Sequence, residues 1–339
     1  MRTPVLSICI PTYCRGEILS RMINNWLSSV DNNDFEIVVC DNVSSDGSFE
    51  KIAAIQDSRL RVFKNAVNVG SLGNSISSMT RARGKYVMLL MDKDVIHMRN
   101  ISKIIDILSS LDVAAGRFVL NSNEDENMAT MIIRGRHSIL RKEGLRFAHP
   151  SGYFFNSEKA REYDIFHKVD FSDSVAMPYS TDFYVLMAAK YGDFAVLSIP
   201  FVELQHPPFE GLTKSFTYKQ NKRLFFLPEY RIDVFTEYVR MMRQEGVCLL
   251  SRIVAIDRML SRLSILCTKN YLELLAMDNI CEWYGLDADF RNREKSSSLL
   301  RRFFTALNRK SREVFVFDAI CIRLGCLRCC LKMLKKKVT

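Results

Sequence analysis

The chain has 339 residues, of which 48% are apolar and 25% are charged, and its formal net charge is +10. This composition is typical of a globular protein that buries a sizeable core, and the length favours one large domain or two ordinary ones. No apolar run reaches the roughly 18–20 residues that cross a bilayer, and the first run stops at Pro11, too early for a secretory signal.

Ten cysteines are scattered along the chain, and some of them, such as Cys9 and Cys40, lie inside apparent core strands. A cysteine in such a run usually serves as a small hydrophobic side chain. The pattern therefore indicates a reducing, cytoplasmic compartment rather than a disulfide framework.

Strand-like runs alternate with helical periods through the first hundred residues. Apolar runs closed by turn residues predict strands, and apolar residues three and four positions apart predict helices. Gly84 is expected to cap the third helix. The strand-like runs are 5–13, 35–42, 60–63 and 86–91, and the helices are 18–27, 49–55 and 74–82. This order predicts an α/β fold with a mostly parallel sheet, whose ligands lie beyond the carboxyl ends of the strands.

Two carboxylates, Asp92 and Asp94, directly follow the fourth apolar run. Alternate residues of an extended segment point the same way, so these side chains can converge on one divalent cation. A cation at the carboxyl end of a strand is well placed to hold a diphosphate.

Five motifs in order resemble the nucleotide-binding half of family 2 glycosyltransferases, which have the GT-A fold. Cys14 stands where the family usually has Asn, and Val95 stands where a further Asp is common. The matching segments are Pro11-Thr12-Tyr13-Cys14-Arg15, Asp41-Asn42-Val43-Ser44-Ser45-Asp46-Gly47-Ser48, Asn68-Val69-Gly70, Ala82-Arg83-Gly84-Lys85-Tyr86 and Asp92-Lys93-Asp94.

The resemblance implies an inverting transferase that uses a nucleoside-diphosphate sugar donor and a glycan or lipid-linked glycan acceptor. Asp41 would accept a hydrogen bond from the nucleobase, and Asp92 would hold the ribose or a metal-bound water. Asp94 would bind Mg²⁺ or Mn²⁺, with Asp92 and His206 as further metal ligands. The nucleotide-sugar site would comprise Pro11, Thr12, Tyr13, Arg15, Asp41, Asn68, Gly70, Asn74 and Asp92.

Further along the chain, residues 179–192 resemble the helix whose leading Asp is the general base of the family, and Asp182 holds that position. Thr181 replaces the common Glu, and a helix N-cap is the alternative role for either residue. The turn that begins at His149 resembles the floor beneath the donor sugar. His149 itself is a weaker candidate than His206, because only its turn context supports it.

The pattern changes near residue 216, where strand alternation gives way to long helical periods. We therefore expect a catalytic domain over residues 1–215, with a nucleotide-binding half (1–100) and an acceptor half (101–215). Residues 216–339 would form a helical C-terminal region.

The last 49 residues, 291–339, carry 14 Lys or Arg and 3 Asp or Glu, a net charge of +11. Subtraction from the totals of 48 and 38 leaves 34 and 35, a net charge of −1 for the rest. A basic amphipathic helix of this kind indicates contact with an anionic membrane surface on the cytoplasmic face. The alternative is packing on the catalytic domain or on a second copy, as in a homodimer. The apolar seam is Phe317, Ile320, Leu324, Leu327, Leu331 and Leu334.

Other functions fit the sequence less well. A sugar nucleotidyltransferase or a dinucleotide-dependent dehydrogenase needs a glycine-rich loop after the first strand, and none is present. A nucleic-acid-binding protein would explain the basic tail but not the aspartates at strand ends. A zinc site at Cys326, Cys329 and Cys330 has no second Cys pair or His at ligand spacing. An inactive binding protein with this fold stays open, as does a sugar nucleotidyltransferase.

Overall fold

The computed structural model describes residues 3–120, 129–168, 175–205, 225–277, 286, 289–290, 294 and 299–338. Within these residues the strands and helices are arranged as an α/β unit followed by helices. The strands are β1 (Leu6–Thr12), β2 (Phe35–Asp41), β3 (Leu60–Lys64), β4 (Tyr86–Leu89), β5 (Val95–Ile96), β6 (Ala115–Phe118), β7 (Ala129–Ile133), β8 (Tyr153–Asn156), β9 (Phe194–Ser198) and β10 (Val202–Glu203).

The helices follow the same chain order, with three short 3₁₀ turns at Met98–Asn100, Met177–Tyr179 and Ser311–Glu313. They are α1 (Gly16–Ser28), α2 (Ser48–Ala53), α3 (Gly70–Thr80), α4 (Ile101–Ser110), α5 (Arg136–Glu143), α6 (Ser157–Glu162), α7 (Ser180–Ala188), α8 (Pro228–Gln244), α9 (Leu249–Leu266), α10 (Lys269–Ala276), α11 (Leu299–Lys310) and α12 (Val316–Val338).

Eight of the described strands form one sheet in the order β3-β2-β1-β4-β8-β6-β9-β7. The first four, β3-β2-β1-β4, are mutually parallel, whereas β8 runs antiparallel to both its neighbours and β7 is antiparallel to β9. The expected mostly parallel sheet flanked by helices is therefore confirmed. β5 and β10 form a separate antiparallel pair.

The core of this unit lies between the sheet and its helices. Every residue of β1, β2 and β4 is buried, which explains their near-continuous apolar sequence. Helix α1 buries Leu19, Ile23, Trp26 and Leu27 on one face, a spacing typical of an amphipathic helix.

Two local predictions about the third helix were wrong. The helix begins at Gly70 rather than near Asn74 and ends at Thr80, so Gly84 is not its cap. Gly84 instead donates its N–H to Ser7 Oγ at 2.9 Å, and a Cβ there would meet that oxygen at 2.6 Å. Close approach of the backbone, not a helix end, therefore requires glycine at this position.

The chain divides into two compact units. The first comprises Met1–Ile139, His149–Met177 and Met187–Leu212, and the second comprises Leu140–Ala148, Pro178–Leu186 and Thr213–Thr339. Both sheets belong to the first unit, and helices α8 to α12 belong to the second. Two short segments of the first 215 residues thus associate with the C-terminal helices, and the functional division near residue 215 stays a prediction.

Helix α12 packs on α9 through a face other than the apolar seam. Asp318, 1% exposed, accepts a hydrogen bond from Arg252 Nε at 2.9 Å, and Ile322 is also 1% exposed. Gly325 lies so close to Leu260 that a Cβ would meet its Cδ1 at 2.6 Å. The seam residues whose side chains are described are all exposed: Phe317, Ile320, Leu324 and Leu327.

No helix among the described residues combines the length and the apolar content needed to cross a membrane.

Candidate functional site

The carboxyl ends of β1, β2 and β4 bring the motif residues of the first unit together. The parallel register places Thr12 beside Asp41, and the β1–β4 pairing ends at Cys9 and Leu89. Pro11 lies beyond that end, where its missing N–H leaves no gap in the β4 ladder. The edge of the sheet is therefore open between β1 and β4, as the strand order predicted.

Asp92 lies at this opening. Its Oδ2 accepts a hydrogen bond from Thr12 Oγ1 at 2.9 Å, and its Oδ1 lies 3.5 Å from Arg15 Nε. Burial raises the pKa of the Asp92 carboxyl, whereas the Arg15 charge and the hydrogen bonds from Thr12 and the Tyr13 backbone lower it. The side chain is 13% exposed, so a ligand can reach a carboxylate that is already oriented by β1.

Asp41, at the end of β2, has one satisfied and one unsatisfied oxygen. Its Oδ2 accepts the N–H of Ser44 at 3.0 Å, whereas its Oδ1 is buried and has no hydrogen-bond partner among the described residues. An unmade hydrogen bond at a buried acceptor costs about 1–3 kcal/mol. Tyr13, which follows the register partner of Asp41, is 46% exposed and presents an aromatic ring to solvent. The pair offers an acceptor and a stacking surface.

Two residues near this edge have left-handed backbone conformations without being glycine. Cys14 has φ of 54° and Val43 has φ of 66°, and the Cys14 N–H donates to Ser44 Oγ at 2.8 Å. Asn tolerates this conformation better than Cys, and a β-branched residue is an outlier there. The departure from Asn at position 14 therefore falls where the backbone favours Asn, and the strain lies beside the candidate site.

A network of four asparagine amides ties together the loops after β1, β2 and β3. Asn65 donates to Asn74 Oδ1 at 2.8 Å and to Asn42 Oδ1 at 3.2 Å, and Asn42 donates to Asn68 Oδ1 at 2.8 Å. Asn74, 2% exposed, donates to the Thr12 carbonyl at 3.2 Å and the Cys40 carbonyl at 3.0 Å.

Of the predicted nucleotide-site residues, Asn68 and Asn74 belong to this network. Gly70, with φ of 74°, donates its N–H to Asn68 Oδ1 at 3.0 Å. Asn42 and Asn65 were not among the predicted site residues. Asn42 lies in the matched segment that begins at Asp41, whereas the only sequence signal of Asn65 is a position just beyond a strand, which many loop residues share.

Asp94 is 0% exposed, and protein groups hold both of its oxygens. Oδ2 accepts from Ser151 Oγ at 2.6 Å and lies 3.5 Å from His149 Nδ1, and Oδ1 accepts the N–H of Gln205 at 3.1 Å. The predicted turn at His149 thus docks on the acidic motif. Asp94 is more enclosed than a ligand in an open donor site would be.

Lys93, between the two aspartates, contributes a positive charge that sequence reasoning missed. Its Nζ donates to the Gln205 carbonyl at 3.0 Å, and burial lowers the pKa of the ammonium while Asp94 and Asp92 raise it. In an extended segment the residue between two aspartates is expected to point away from them. The sequence therefore provides no reason to place the Lys93 charge in the site.

The carboxylates of Asp92 and Asp94 are suitable ligand types for a divalent cation, but the described side chains do not form a complete ligand set. Carboxylate oxygens are the ligands that Mg²⁺ and Mn²⁺ prefer, and each accepts more than one contact. No group of three or more His, Cys, Asp or Glu that could hold a metal occurs within the described part of the chain. His206, the third predicted ligand, lies outside that part. Cys326 and Cys329 belong to no such group among the described residues, and the side chain of Cys330 lies outside them.

Asp182 lies in the second unit, in the first turn of α7, and is 1% exposed. Its Oδ1 accepts the N–H of Arg146 at 3.0 Å, and its Oδ2 accepts the N–H of Ala148 at 3.4 Å. Burial raises the pKa of the carboxyl to about 6, with these two N–H groups and the charges of Arg146 and Arg262 lowering it. A carboxylate with this pKa can exchange a proton near neutral pH.

Comparison with solved structures supports the expected fold. S. aureus TarS 1–349 in complex with UDP-GlcNAc matches with a TM-score of 0.58 and 15% identity, over 95% of this chain and 90% of that one. The same TarS fragment in complex with UDP matches with a TM-score of 0.57 and 12% identity over the same shares. At these identities the likeness shows the fold.

Sequence comparisons show a similarity to known glycosyltransferases over part of the chain. Residues 7–164, a little under half of the chain, match the model of glycosyl transferase family 2. Abequosyltransferase RfbV of Salmonella typhimurium is 32% identical over 96 residues, 27% of this chain and 29% of that protein. The Escherichia coli UDP-Glc:alpha-D-GlcNAc-diphosphoundecaprenol beta-1,3-glucosyltransferase WfgD is 29% identical over 91 residues, 27% of this chain. The match spans about a third of these relatives, 29% and 36% of their lengths.

Proposed function

We propose that this protein transfers a sugar from a nucleoside-diphosphate sugar to a hydroxyl of a glycan, with inversion at the anomeric carbon. The observation that carries the proposal is the buried, unpartnered Oδ1 of Asp41 at the carboxyl edge of a parallel sheet. The match of residues 7–164 to the model of glycosyl transferase family 2 supports the same reaction class.

The nucleotide would bind at the edge formed by β1 and β2. An N–H of the nucleobase would donate to Asp41 Oδ1, and the base would lie against the exposed ring of Tyr13. Pro11, Thr12 and Arg15 would line the slot, and Asp92 would bind the ribose. The amide network that contains Asn68 and Asn74, with Gly70, would hold the slot in shape.

We also propose that Mg²⁺ or Mn²⁺ takes part, held by Asp92 and Asp94 with His206 as a third ligand. When bound, such a cation neutralises charge on the departing diphosphate. Ser151 and Gln205 hold the two oxygens of Asp94 by hydrogen bonds. To bind a cation, Asp94 would have to give up at least one of these hydrogen bonds.

Asp182 is the proposed general base. The acceptor oxygen attacks the anomeric carbon and forms the new C–O bond, while its proton passes to the Asp182 carboxylate. The bond between the anomeric carbon and the diphosphate breaks, and the nucleoside diphosphate leaves with the electron pair. The raised pKa of Asp182, about 6, supports this role because the group is ionised at neutral pH and is still basic.

We propose that the acceptor is a precursor of a bacterial surface polysaccharide or lipooligosaccharide, either a glycan or a glycan linked to a lipid. The name of WfgD describes an acceptor on diphosphoundecaprenol, and the name of RfbV describes transfer of abequose. Such an acceptor fits a protein that acts at the cytoplasmic face of a membrane. A lipid-linked acceptor would also agree with the proposed division into a catalytic domain, residues 1–215, and a C-terminal region, residues 216–339, that contacts the membrane.

Helix α12 is the proposed membrane contact. Its seam residues Phe317, Leu324 and Leu327 are 53%, 63% and 60% exposed, while its opposite face packs on α9. The net charge of +11 over residues 291–339 complements an anionic lipid surface.

Titration of nucleoside diphosphates into the protein tests the donor site. We expect one base to bind best, and Asp41→Asn to weaken it by about tenfold or more, since a charged acceptor is lost. Asp106→Asn, an exposed aspartate on α4, is the matched control and should bind like wild type. Equal affinity for Asp41→Asn and wild type would place the base elsewhere. Tight binding without turnover of any nucleotide sugar would favour an inactive binding protein.

A further inference from the structure

The backbone of residues 142–148 holds the Asp182 carboxylate from two sides. The N–H of Arg146 points at Oδ1 and the N–H of Ala148 points at Oδ2, so the two donors come from alternate residues. A carboxylate held at both oxygens cannot rotate freely about its last bond. The orientation of Asp182 therefore depends on the conformation of this segment.

That conformation is one that the sequence does not favour. Leu145 and Phe147 have φ of 35° and 54°, and neither is a glycine. Left-handed conformations at such residues persist only where surrounding contacts over-determine them. Phe147 is held by an edge-to-face contact with Tyr179, at a centroid distance of 5.1 Å, and Leu145 is fully buried.

Arg262, on α9, holds the same segment through its carbonyls. Its Nη1 donates to the Gly144 carbonyl at 2.5 Å and to the Leu145 carbonyl at 3.2 Å, and its Nη2 donates to the Lys142 carbonyl at 3.0 Å. A planar guanidinium presents several N–H groups in a fixed fork, so one side chain fixes three peptide groups at once.

We propose that Arg262 is a positioning residue for Asp182: it clamps residues 142–145 so that the next N–H groups, of Arg146 and Ala148, orient the carboxylate. The inference rests on the proposed role of Asp182 as the base. It makes a residue of the C-terminal helical region a determinant of catalysis, although the catalytic domain was expected to comprise residues 1–215 alone.

Electrostatics link the clamp to pH. Asp182 faces Arg146, the Tyr179 hydroxyl and Arg262, and Arg262 in turn interacts with Glu143 and Tyr238. The Arg262 charge and the two N–H groups all lower the pKa of Asp182. Their loss raises that pKa further, so the base becomes protonated at a higher pH. The acidic limb of the rate profile then moves upward in pH.

Arg262→Met and Arg262→Lys, with Arg258→Met as control, test the inference. Arg258 is an exposed arginine on the same helix. Two measurements are made on each folded variant: amide hydrogen exchange of the peptide covering 140–150, and the pH profile of kcat and kcat/KM with the best nucleotide sugar.

We expect the peptide covering 140–150, which includes the Arg146 and Ala148 amides, to exchange at least about tenfold faster in Arg262→Met. The same variant should lower kcat about 10- to 100-fold with little change in donor KM. Its acidic limb should move to higher pH. Arg262→Lys, which keeps the charge but not the fork, should lie between it and wild type. Arg258→Met should match wild type in both measurements.

Unchanged exchange of this segment in Arg262→Met and Arg262→Lys would overturn the clamp, whatever the activity. Faster exchange with an unchanged kcat and pH profile would overturn the link to catalysis. If Asp182→Asn itself keeps full turnover, the proposed base is wrong, and this result is separate from the exchange measurement. If Arg262→Met does not fold, Arg262→Lys decides the matter by the same two measurements.

Discussion

Thr12 Oγ1 donates a hydrogen bond of 2.9 Å to Asp92 Oδ2, across 80 positions of sequence. This contact joins the end of β1 to the acidic motif after β4, because the parallel register brings both ends to one edge of the sheet. It connects two of the motifs that carry the resemblance to family 2 glycosyltransferases. It also fixes the carboxylate that is proposed to bind the ribose.

Thr12→Val tests that contact. Valine keeps the β-branched shape but removes the donor, so Asp92 loses one hydrogen bond that lowers its pKa. A hydrogen bond to a charged group is worth about 1.5–3 kcal/mol, and we expect nucleotide-sugar affinity to fall by about tenfold or more. Calorimetric titration measures the change. Wild-type affinity in a folded Thr12→Val variant would show that the hydrogen bond from Thr12 to Asp92 does not contribute to nucleotide-sugar binding.

Asp94→Asn separates a metal ligand from a structural acceptor. Asparagine keeps the size and one carbonyl oxygen for the Gln205 N–H, and Ser151 can reorient its hydroxyl. We expect Mn²⁺ affinity, measured by titration, to fall more than tenfold while the melting temperature changes by only a few degrees. EDTA should reduce turnover of the wild type by orders of magnitude. A lower melting temperature with unchanged Mn²⁺ affinity would make Asp94 an internal anchor only.

Asp182→Asn tests the base. The amide keeps the shape but cannot accept the acceptor proton, so transfer should fall about 10²–10⁴-fold with donor binding unchanged. In the wild type, the rate should drop as pH falls through about 6, where the carboxyl becomes protonated. A variant that loses donor affinity and keeps its turnover would assign Asp182 to the donor site instead.

The Asp182 carboxyl should lower the folding stability as pH rises, whereas it raises the reaction rate over the same pH range. Its folded pKa lies above the unfolded one, so its contribution to stability is full below the unfolded pKa, near 4, and is lost as pH rises through about 6. The difference in unfolding free energy between wild type and Asp182→Asn should therefore shift against the wild type from pH 4 to pH 7. A difference that is constant over this range would mean that Asp182 titrates normally.

The exposed seam of α12 should bind anionic vesicles. Leu324→Ser with Leu327→Ser should release the protein from vesicles that contain anionic lipid, because both side chains are exposed and neither holds the helix on α9. Val67→Ser, an equally exposed site on the first unit, is the control. Co-sedimentation in low and high salt measures binding, which should weaken with salt.

Point substitution is preferable to truncation here, since removal of Asp318 would leave the buried Arg252 without its partner. Binding that ignores lipid charge would contradict the proposal. A wild-type protein that is dimeric in solution and becomes monomeric in the double variant would show that the seam serves a second copy.

The positions of the strand-end aspartates could be predicted, because the alternation of strands and helices indicates that the carboxyl ends of the parallel strands lie at the same edge of the sheet. The enclosure of Asp94 could not, since one partner is the hydroxyl of Ser151, 57 positions away, and the other is the backbone N–H of Gln205, 111 positions away. The clamp of Arg262 was equally hidden, because its partners are backbone carbonyls about 120 positions away. Backbone groups leave no trace in sequence.

Helix α12 shows the limit of periodicity. The pattern identified an apolar seam, but the face that packs contains Asp318, Ile322 and Gly325. A small residue allows two helices to approach closely, and a buried ion pair fixes their register, so apolar content alone did not decide which face is covered.

The most direct measurement is the anomeric configuration of the product. Incubation with a panel of nucleotide sugars and glycan acceptors, followed by NMR of the glycoside, should show nucleoside diphosphate release and a linkage inverted relative to the donor. Asp182→Asn should reduce both signals about 10²–10⁴-fold under the same conditions. A product that retains the donor configuration, or no release from any nucleotide sugar by a protein that binds the nucleotide, would contradict the account.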